Sequence, residues 1–377
     1  MTPVAFSKPH FGPEEAAAAA AAVESGWVVG GPRLQEFEKR FAGMCRAPCA
    51  VGVSSWTTGA FLVLHAWGIG PGDEVIVPSL TFIASVNVIV HAGATPVFVD
   101  VDPLTYNIDP RDIEHRITPR TKAIIAVDQI GLPCDIRAIS DIAERHGLLL
   151  LQDAACSFGS CIEKQPVGSM AAVSVFSLHA RKVVTTGEGG VIVCFDEQFA
   201  ERLRRLRHQG MSLSDFARHG ASPTVFESYP EIGYNFRITD IQAAIGLVQL
   251  DRCLAMLARR KELADRYGAG LRDHPWLEAP HVPVGMEPNW QSYMVRLGPG
   301  APLSRNALME QLFAAGIPTR RGVMASHLEA PYLPMQVHLP HTEAAAATTL
   351  QLPMHSQLTD EQADFVLETL GRISAAA

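Results

Sequence analysis

No stretch of eighteen uncharged apolar residues occurs in the 377-residue chain, and Met1-Thr-Pro-Val-Ala-Phe-Ser-Lys8 lacks the basic start and apolar run of a secretory leader. Both absences point away from a membrane-spanning or exported protein and towards the cytoplasm. An excess of positive charge is missing too: 31 Lys and Arg stand against 39 Asp and Glu, a net charge of −8. Neutralising a phosphate backbone needs a basic surface, so this balance argues against a general nucleic-acid binder. The cysteines number seven, an odd and scattered set that fits reduced thiols better than a disulfide framework. Cys45 and Cys49 have no second cysteine or histidine pair to complete a zinc site, and His327, His338, His341 and His355 lack the helical pair spacing of metal ligands. No metal is expected. No strand-like run is followed by Gly-x-Gly-x-x-Gly, which removes an NAD-binding oxidoreductase from consideration.

With 47% hydrophobic and 19% charged residues, the chain can bury a large core. Its punctuation predicts the elements. Gly12-Pro13-Glu14-Glu15 opens an alanine-rich helix that stops at Ser25-Gly26, with proline and acids in the first turn and glycine after the last. Short apolar runs then read as buried strands at Ala50–Ser54, Glu74–Pro78, Thr95–Asp100, Ala123–Val127, Leu148–Gln152, Val173–Ser177 and Gly190–Phe195. Helical segments such as Thr57–Trp67 and Ile136–His146 lie between them. Such alternation predicts an α/β fold with a mostly parallel sheet covered on both faces. A long helical pattern follows from Thr239 to Tyr267, then a Pro/Gly-rich linker at Ala279–Pro288, a strand at Ser292–Leu297 and a helix at Arg305–Ala315. The expected division is a large domain over 1–250 and a smaller α/β domain over 251–377.

Chemistry concentrates around Lys182, in Ser177-Leu-His-Ala-Arg-Lys182-Val-Val-Thr-Thr-Gly-Glu-Gly-Gly190, and around Asp153, which ends Leu148-Leu-Leu-Leu-Gln-Asp153. A lysine amine can form a Schiff base with an aldehyde cofactor, and a carboxylate can keep a pyridine nitrogen protonated so that the ring accepts electrons. The carboxyl ends of strands in open α/β sheets are where ligands gather. Each residue also has a plainer reading: Asp153 as a turn cap, Lys182 as a solvated lysine, the glycines as a hairpin turn. Val51-Gly-Val-Ser54-Ser55-Trp56-Thr57 supplies a strand, a turn and a helix start whose amides, with the Thr57 hydroxyl, suit a phosphate. Taken singly it is no more than an N-cap. Ser177 offers another hydroxyl, and Phe82 either an aromatic face for a ring or a core side chain.

Together these segments resemble the DegT/DnrJ/StrS family of pyridoxal-phosphate-dependent sugar aminotransferases over nearly the whole length. The resemblance runs through Ser25-Gly-Trp-Val-Val-Gly-Gly-Pro32, Gly72-Asp-Glu-Val-Ile-Val-Pro78, Pro96-Val-Phe-Val-Asp100, Asp153-Ala-Ala, Lys182 with Thr186-Gly-Glu-Gly-Gly190, and Gly233-Tyr-Asn-Phe-Arg-Ile-Thr-Asp240. It implies the fold type I transferase architecture, with a seven-stranded sheet and a small C-terminal domain. It also implies pyridoxal 5'-phosphate held by Lys182 as an internal aldimine, Asp153 on the pyridine nitrogen, and Trp56, Thr57 and Ser177 at the phosphate. Asn235 would reach the phosphate of a neighbouring subunit, so a homodimer with composite sites is implied. Glutamate or glutamine would donate the amino group to a keto sugar, nucleotide-linked, by ping-pong transamination. Alternatives are a cyclitol or other ketone as acceptor, or a noncatalytic cofactor-binding regulator; the related sugar dehydratases, with histidine for the lysine, are disfavoured by Lys182.

Four positions depart from the family's pattern. Cys156 stands where glutamine or histidine is common near the cofactor's phenolic oxygen, Asp128 and Gln209 replace frequent histidines, and Trp56 occupies a normally small position, where its bulk is expected to reshape the pocket. Candidate substrate contacts are Trp27, His179, Arg237, Arg320, Arg321 and His327, with the guanidinium forks of Arg320 and Arg321 suited to a diphosphate or a carboxylate.

Overall fold

The computed structural model describes residues 4–213, 222, 224 and 226–376. All seven expected strands form, within two residues of the sequence-based bounds: β1 (Cys49–Val53), β2 (Glu74–Pro78), β3 (Thr95–Val99), β4 (Thr121–Val127), β5 (Leu149–Asp153), then, after the two-residue strands β6 (Cys161–Ile162) and β7 (Gln165–Pro166), β8 (Val173–Ser177) and β9 (Gly190–Cys194). They assemble in the order β1-β9-β8-β5-β4-β2-β3. Only β9 runs against its neighbours β1 and β8; the remaining pairings are parallel. Their apolar content follows from that arrangement, because a parallel strand covered by helices on both faces has no solvent side to carry polar residues. β1, β2 and β9 are buried at every position.

Four antiparallel strands, Leu277–Glu278, Tyr293–Leu297, Thr349–Leu352 and Arg320–Arg321, form a second sheet in the C-terminal part. The long helix Asp240–Leu271 serves both regions. Leu250, Cys253 and Met256 pack into the core beneath the large sheet, whereas Leu263, Ala264, Tyr267 and Leu271 join Tyr293, Leu308, Leu350 and Val366 in the C-terminal core. By length and hydropathy alone this helix matches a membrane span. Its inward residues instead pack against protein, with helices α1 (Pro13–Glu24) and α2 (Pro32–Met44) lying along it. The Ala279–Pro288 segment is more than the bare linker expected from its composition: Met286–Glu287 pairs with β6 and so joins a three-stranded sheet.

Two motifs far apart in sequence meet at the start of this helix. Thr239 caps it, accepting from Gln242 N at 3.1 Å, and Asp240 immediately after is fully buried. The Asp240 carboxylate accepts from the amides of Gly31 (2.9 Å), Leu34 (3.0 Å) and Arg33 (3.3 Å), and thereby caps α2, whose own N-cap residue, Gly31, has no side chain to do so. A Cβ on Gly31 would lie 2.5 Å from Asp240 Oδ2, which explains the glycine. Removing this carboxylate strands three amides at a buried helix start. Asp240→Ala is therefore expected to lower stability by about 3 kcal/mol, since hydrogen bonds to a charged acceptor contribute about 1.5–3 kcal/mol each and do not add fully. Urea denaturation followed by circular dichroism measures this; an unchanged midpoint would mean that α2 is held by other contacts.

Candidate active site

The parallel strands β2, β4, β5 and β8 end on one side of the sheet, and a cavity of about 610 Å³ opens there, roofed by residues of the C-terminal sheet. Asp153, the last residue of β5, stands in its wall and is 3% exposed. Its Oδ2 accepts from the Ser85 hydroxyl at 2.7 Å and its Oδ1 from Ala155 N at 3.1 Å. Burial pushes its carboxyl up to about 6, the neighbouring Asp128 adds to the rise, and the two hydrogen bonds and the Lys182 charge oppose it. Asp128 is itself buried and raised by desolvation, but its oxygens are occupied by Ser157 Oγ (2.5 Å), Cys134 N (2.9 Å) and Gln152 Nε2 (3.1 Å). It forms the floor behind Asp153.

Lys182 sits on the connection between β8 and β9, which the glycine cluster closes. Leu178 N donates to Gly189 O (2.9 Å), Thr186 N to Leu178 O (3.1 Å), and Lys182 N to His179 O (2.8 Å), so the connection is a folded platform. Its amine reaches the Cys156 thiol, Nζ to Sγ 3.0 Å. Cys156 thus acts here as an acceptor for the lysine. Gly187 has φ 84°, a left-handed conformation that explains one glycine. Gly190 answers a different need: a Cβ there would lie 2.6 Å from the Ser55 carbonyl carbon and 2.7 Å from Trp56 N.

That close approach brings β9 against the start of helix α3 (Trp56–Ala66). Ser55 caps it, accepting from Thr58 N at 3.1 Å while Thr58 Oγ1 accepts from Ser55 N at 3.0 Å. The first-turn amides of Trp56 and Thr57 then have no acceptor within the helix and form an anion-binding end. Ser55, Trp56, Thr57 and Ser177 all line the cavity. The expectation that Trp56 reshapes the pocket by bulk is not met. Its indole is buried in the core, 6% exposed, with Nε1 donating to Val175 O at 3.1 Å, which leaves mainly its backbone at the cavity. Phe82 is likewise not a core residue: it lines the cavity and is 62% exposed.

Of the other expected contacts, His179, Arg320 and Arg321 line this cavity, together with Arg181 and Cys156. Trp27, Asn235, Arg237 and Gln209 do not line it within the same chain. Arg237 instead meets His208 Nδ1 at 2.7 Å, and Gln209 N donates to Tyr234 O in a turn with φ 61°. His327 is a correction. It is 2% exposed, with Nδ1 2.6 Å from Ser79 Oγ and Nε2 3.4 Å from Glu343, so it fastens the C-terminal part to the end of β2 and presents no face to a substrate. Residues missed from sequence include Ser85, Gln291, whose Nε2 holds the Arg181 carbonyl at 3.1 Å, and Phe6 of the N-terminal arm. Local sequence gives no sign of them, because each acts on a partner remote in the chain.

A buried carboxylate that needs a cation, an amine nearby, and a helix start that only a glycine lets into place suit pyridoxal 5'-phosphate at its ring nitrogen, aldehyde and phosphate. Fold and site together define a pyridoxal-phosphate-dependent transferase of fold type I. The profile of the DegT/DnrJ/EryC1/StrS aminotransferase family matches residues 9–371. The chain belongs to this family; it is an aminotransferase and its cofactor is pyridoxal 5'-phosphate. It is 40% identical over 342 residues to the GDP-perosamine synthase of Caulobacter vibrioides, covering 90% of each chain. It is 37% identical to the spore coat polysaccharide biosynthesis protein SpsC of Bacillus subtilis, covering 99% of this chain and 97% of that one. Spr1654 from Streptococcus pneumoniae, solved in PLP and PMP forms, superposes with TM-scores of 0.92 and 0.93 at 30% and 31% identity, over 99% of both chains.

Asp153 gives the apoprotein a pH signature. A carboxyl that titrates near 6 when folded and near 3.8 in its ordinary state favours the folded protein below about pH 4, and that contribution is lost as pH rises through 6. Ionised Asp153 then costs the apoprotein up to about 3 kcal/mol, at about 1.4 kcal/mol per pH unit. The stability of apo Asp153→Asn relative to wild type should therefore rise between pH 4.5 and pH 7 by roughly 1–3 kcal/mol in urea titrations. A pH-independent difference would show that Asp153 is not a strained carboxylate.

Proposed function

We propose that the protein transfers an amino group from glutamate or glutamine to a keto sugar carried on a nucleotide, in two half-reactions of ping-pong order, with Lys182 and Asp153 as the reacting and ring-supporting groups. The juxtaposition of the Lys182 amine and the buried Asp153 carboxylate on one cavity, beside the amide-rich start of α3, carries the reading. When bound, pyridoxal phosphate supplies an electrophilic aldehyde and an electron-withdrawing ring. Asp153, whose ionisation is opposed by burial, would hold a proton on the ring nitrogen and would itself be relieved of part of its desolvation. The Trp56 and Thr57 amides and the hydroxyls of Thr57 and Ser177 would hold the phosphate. Lys182 Nζ would anchor the cofactor's aldehyde carbon and, once freed by the donor's amine, would carry a proton from the donor's α-carbon to that cofactor carbon; in the second half-reaction it would carry one back, to the carbon that was the acceptor's carbonyl.

Cys156 keeps contact with that amine and sets its resting direction. The names of two relatives, one for GDP-perosamine synthesis and one for spore coat polysaccharide biosynthesis, support a sugar acceptor and a nucleotide carrier. The exposed Asn235, outside the cavity of its own chain, suits a homodimer in which each subunit contributes it to the other's phosphate site.

Lys182→Ala should retain noncovalent cofactor yet lose transamination by a factor of about 10⁴ or more, because both the anchor and the proton carrier go. Single-turnover absorbance with glutamate measures it, and undiminished conversion would remove Lys182 from the role. The acceptor is tested by converting the cofactor with glutamate and then adding nucleotide-linked 3-keto and 4-keto sugars. Return of the original visible band is expected with one of them; conversion by glutamate without return from any ketosugar would overturn the sugar assignment.

A further inference from the structure

The N-terminal arm that precedes α1 lines the cavity and is fastened on both sides of the lining residues. Val4 is buried in the C-terminal core. Further along, His10 Nδ1 lies 3.0 Å from Ser356 Oγ, and Gln249 Nε2 donates to His10 O at 2.8 Å. Between these anchors Phe6 O accepts from Met354 N at 3.2 Å, and Phe6 and Ser7 line the cavity. The arm is thus part of the cavity wall, beside the C-terminal part.

Phe6 also faces a charge. The Arg320 guanidinium carbon stands 5.3 Å from the centroid of its ring, a cation–π arrangement. The backbone of Arg320 is fixed by the edge strand it shares with Thr349–Leu352, and Nη1 donates to the Thr319 carbonyl at 3.0 Å. Arg321 next to it approaches Glu329 at 3.4 Å, whereas among the described residues no carboxylate pairs with Arg320. An aromatic face orients a guanidinium without neutralising it and leaves its planar fork available to an oxyanion.

We propose that Phe6 is a positioning residue that holds Arg320 over the cavity as the guanidinium gripping the substrate's oxyanion group. This deepens, and rests on, the reading of the cavity as an aminotransferase site for anionic substrates. The gripped group is a phosphate or carboxylate oxyanion, with two sources in that chemistry: the diphosphate of a nucleotide-linked acceptor and the distal carboxylate of the donor.

The test uses the holoenzyme and binding alone, so that it does not depend on turnover with any sugar. GDP and the unreactive dicarboxylate glutarate are titrated by calorimetry into wild type, Phe6→Leu, Phe6→Tyr, Arg320→Ala and the double variant Phe6→Leu with Arg320→Ala. Leucine keeps the apolar bulk and removes the π face, whereas tyrosine keeps both. Phe6→Leu should weaken one of the two anions by roughly three- to tenfold, Phe6→Tyr should bind within about twofold of wild type, and Phe6→Leu should add nothing once Arg320 is alanine. Weaker GDP assigns the grip to the diphosphate, weaker glutarate to the carboxylate, and either supports the proposal. Equal binding of both anions by wild type and Phe6→Leu would overturn it. So would equal weakening by leucine and tyrosine, a full Phe6 effect persisting without Arg320, or no binding of either anion to wild type.

Discussion

The burial of the Asp153 carboxylate is the constraint around which the site is arranged. An ionised carboxyl at 3% exposure is costly unless hydrogen bonds and a cation offset its desolvation, and the protein offsets it in part: one hydroxyl from Ser85, one amide from Ala155 and the Lys182 charge, against an adjoining acid, Asp128, that makes ionisation harder. That remainder suits the protonated ring nitrogen proposed to sit against it. Asp153 is buried because it ends an interior strand of the sheet, so site chemistry and fold class meet at a single desolvated group.

Around that group the architecture solves a positioning problem with small residues and long-range caps. Gly190 lets β9 lie against Ser55 and Trp56, which brings the start of α3 beside the connection that carries Lys182. Gly31 lets Asp240 cap α2 from more than two hundred residues away, which ties the N-terminal helices to the long helix. The long helix then shares its two ends between two cores, so the C-terminal sheet with Arg320 and Arg321 is held over the same cavity that the large sheet builds. The N-terminal arm closes the circuit from the other side.

Strand positions were legible because a strand buried on both faces is a short apolar run whatever surrounds it, and all seven in the large sheet fell within two residues of their expected bounds. Helix starts were legible where a local cap exists, as at Thr239 and Pro13. Side-chain direction was not. Trp56 turns its indole into the core because Val175 O lies there to accept its N–H, and His327 is consumed by Ser79 and Glu343; both partners are distant in sequence. Phe82 went the other way, an aromatic residue left exposed at the cavity.

The sequence by itself determined the alternation of strands and helices, the acid at the end of β5, the lysine beside a glycine cluster and the helix start after β1, since each is written in periodicity, capping and turn chemistry over a few residues. Tertiary structure decided which of these meet. It brought Ser85 to Asp153, Cys156 to Lys182 and Phe6 to Arg320, and it kept Asn235 and Arg237 away from their own chain's cavity. The physical reason is range: propensity and periodicity act between near neighbours, whereas a hydrogen bond or a cation over a ring depends on distances that exist only after the sheet, the long helix and the arm have packed.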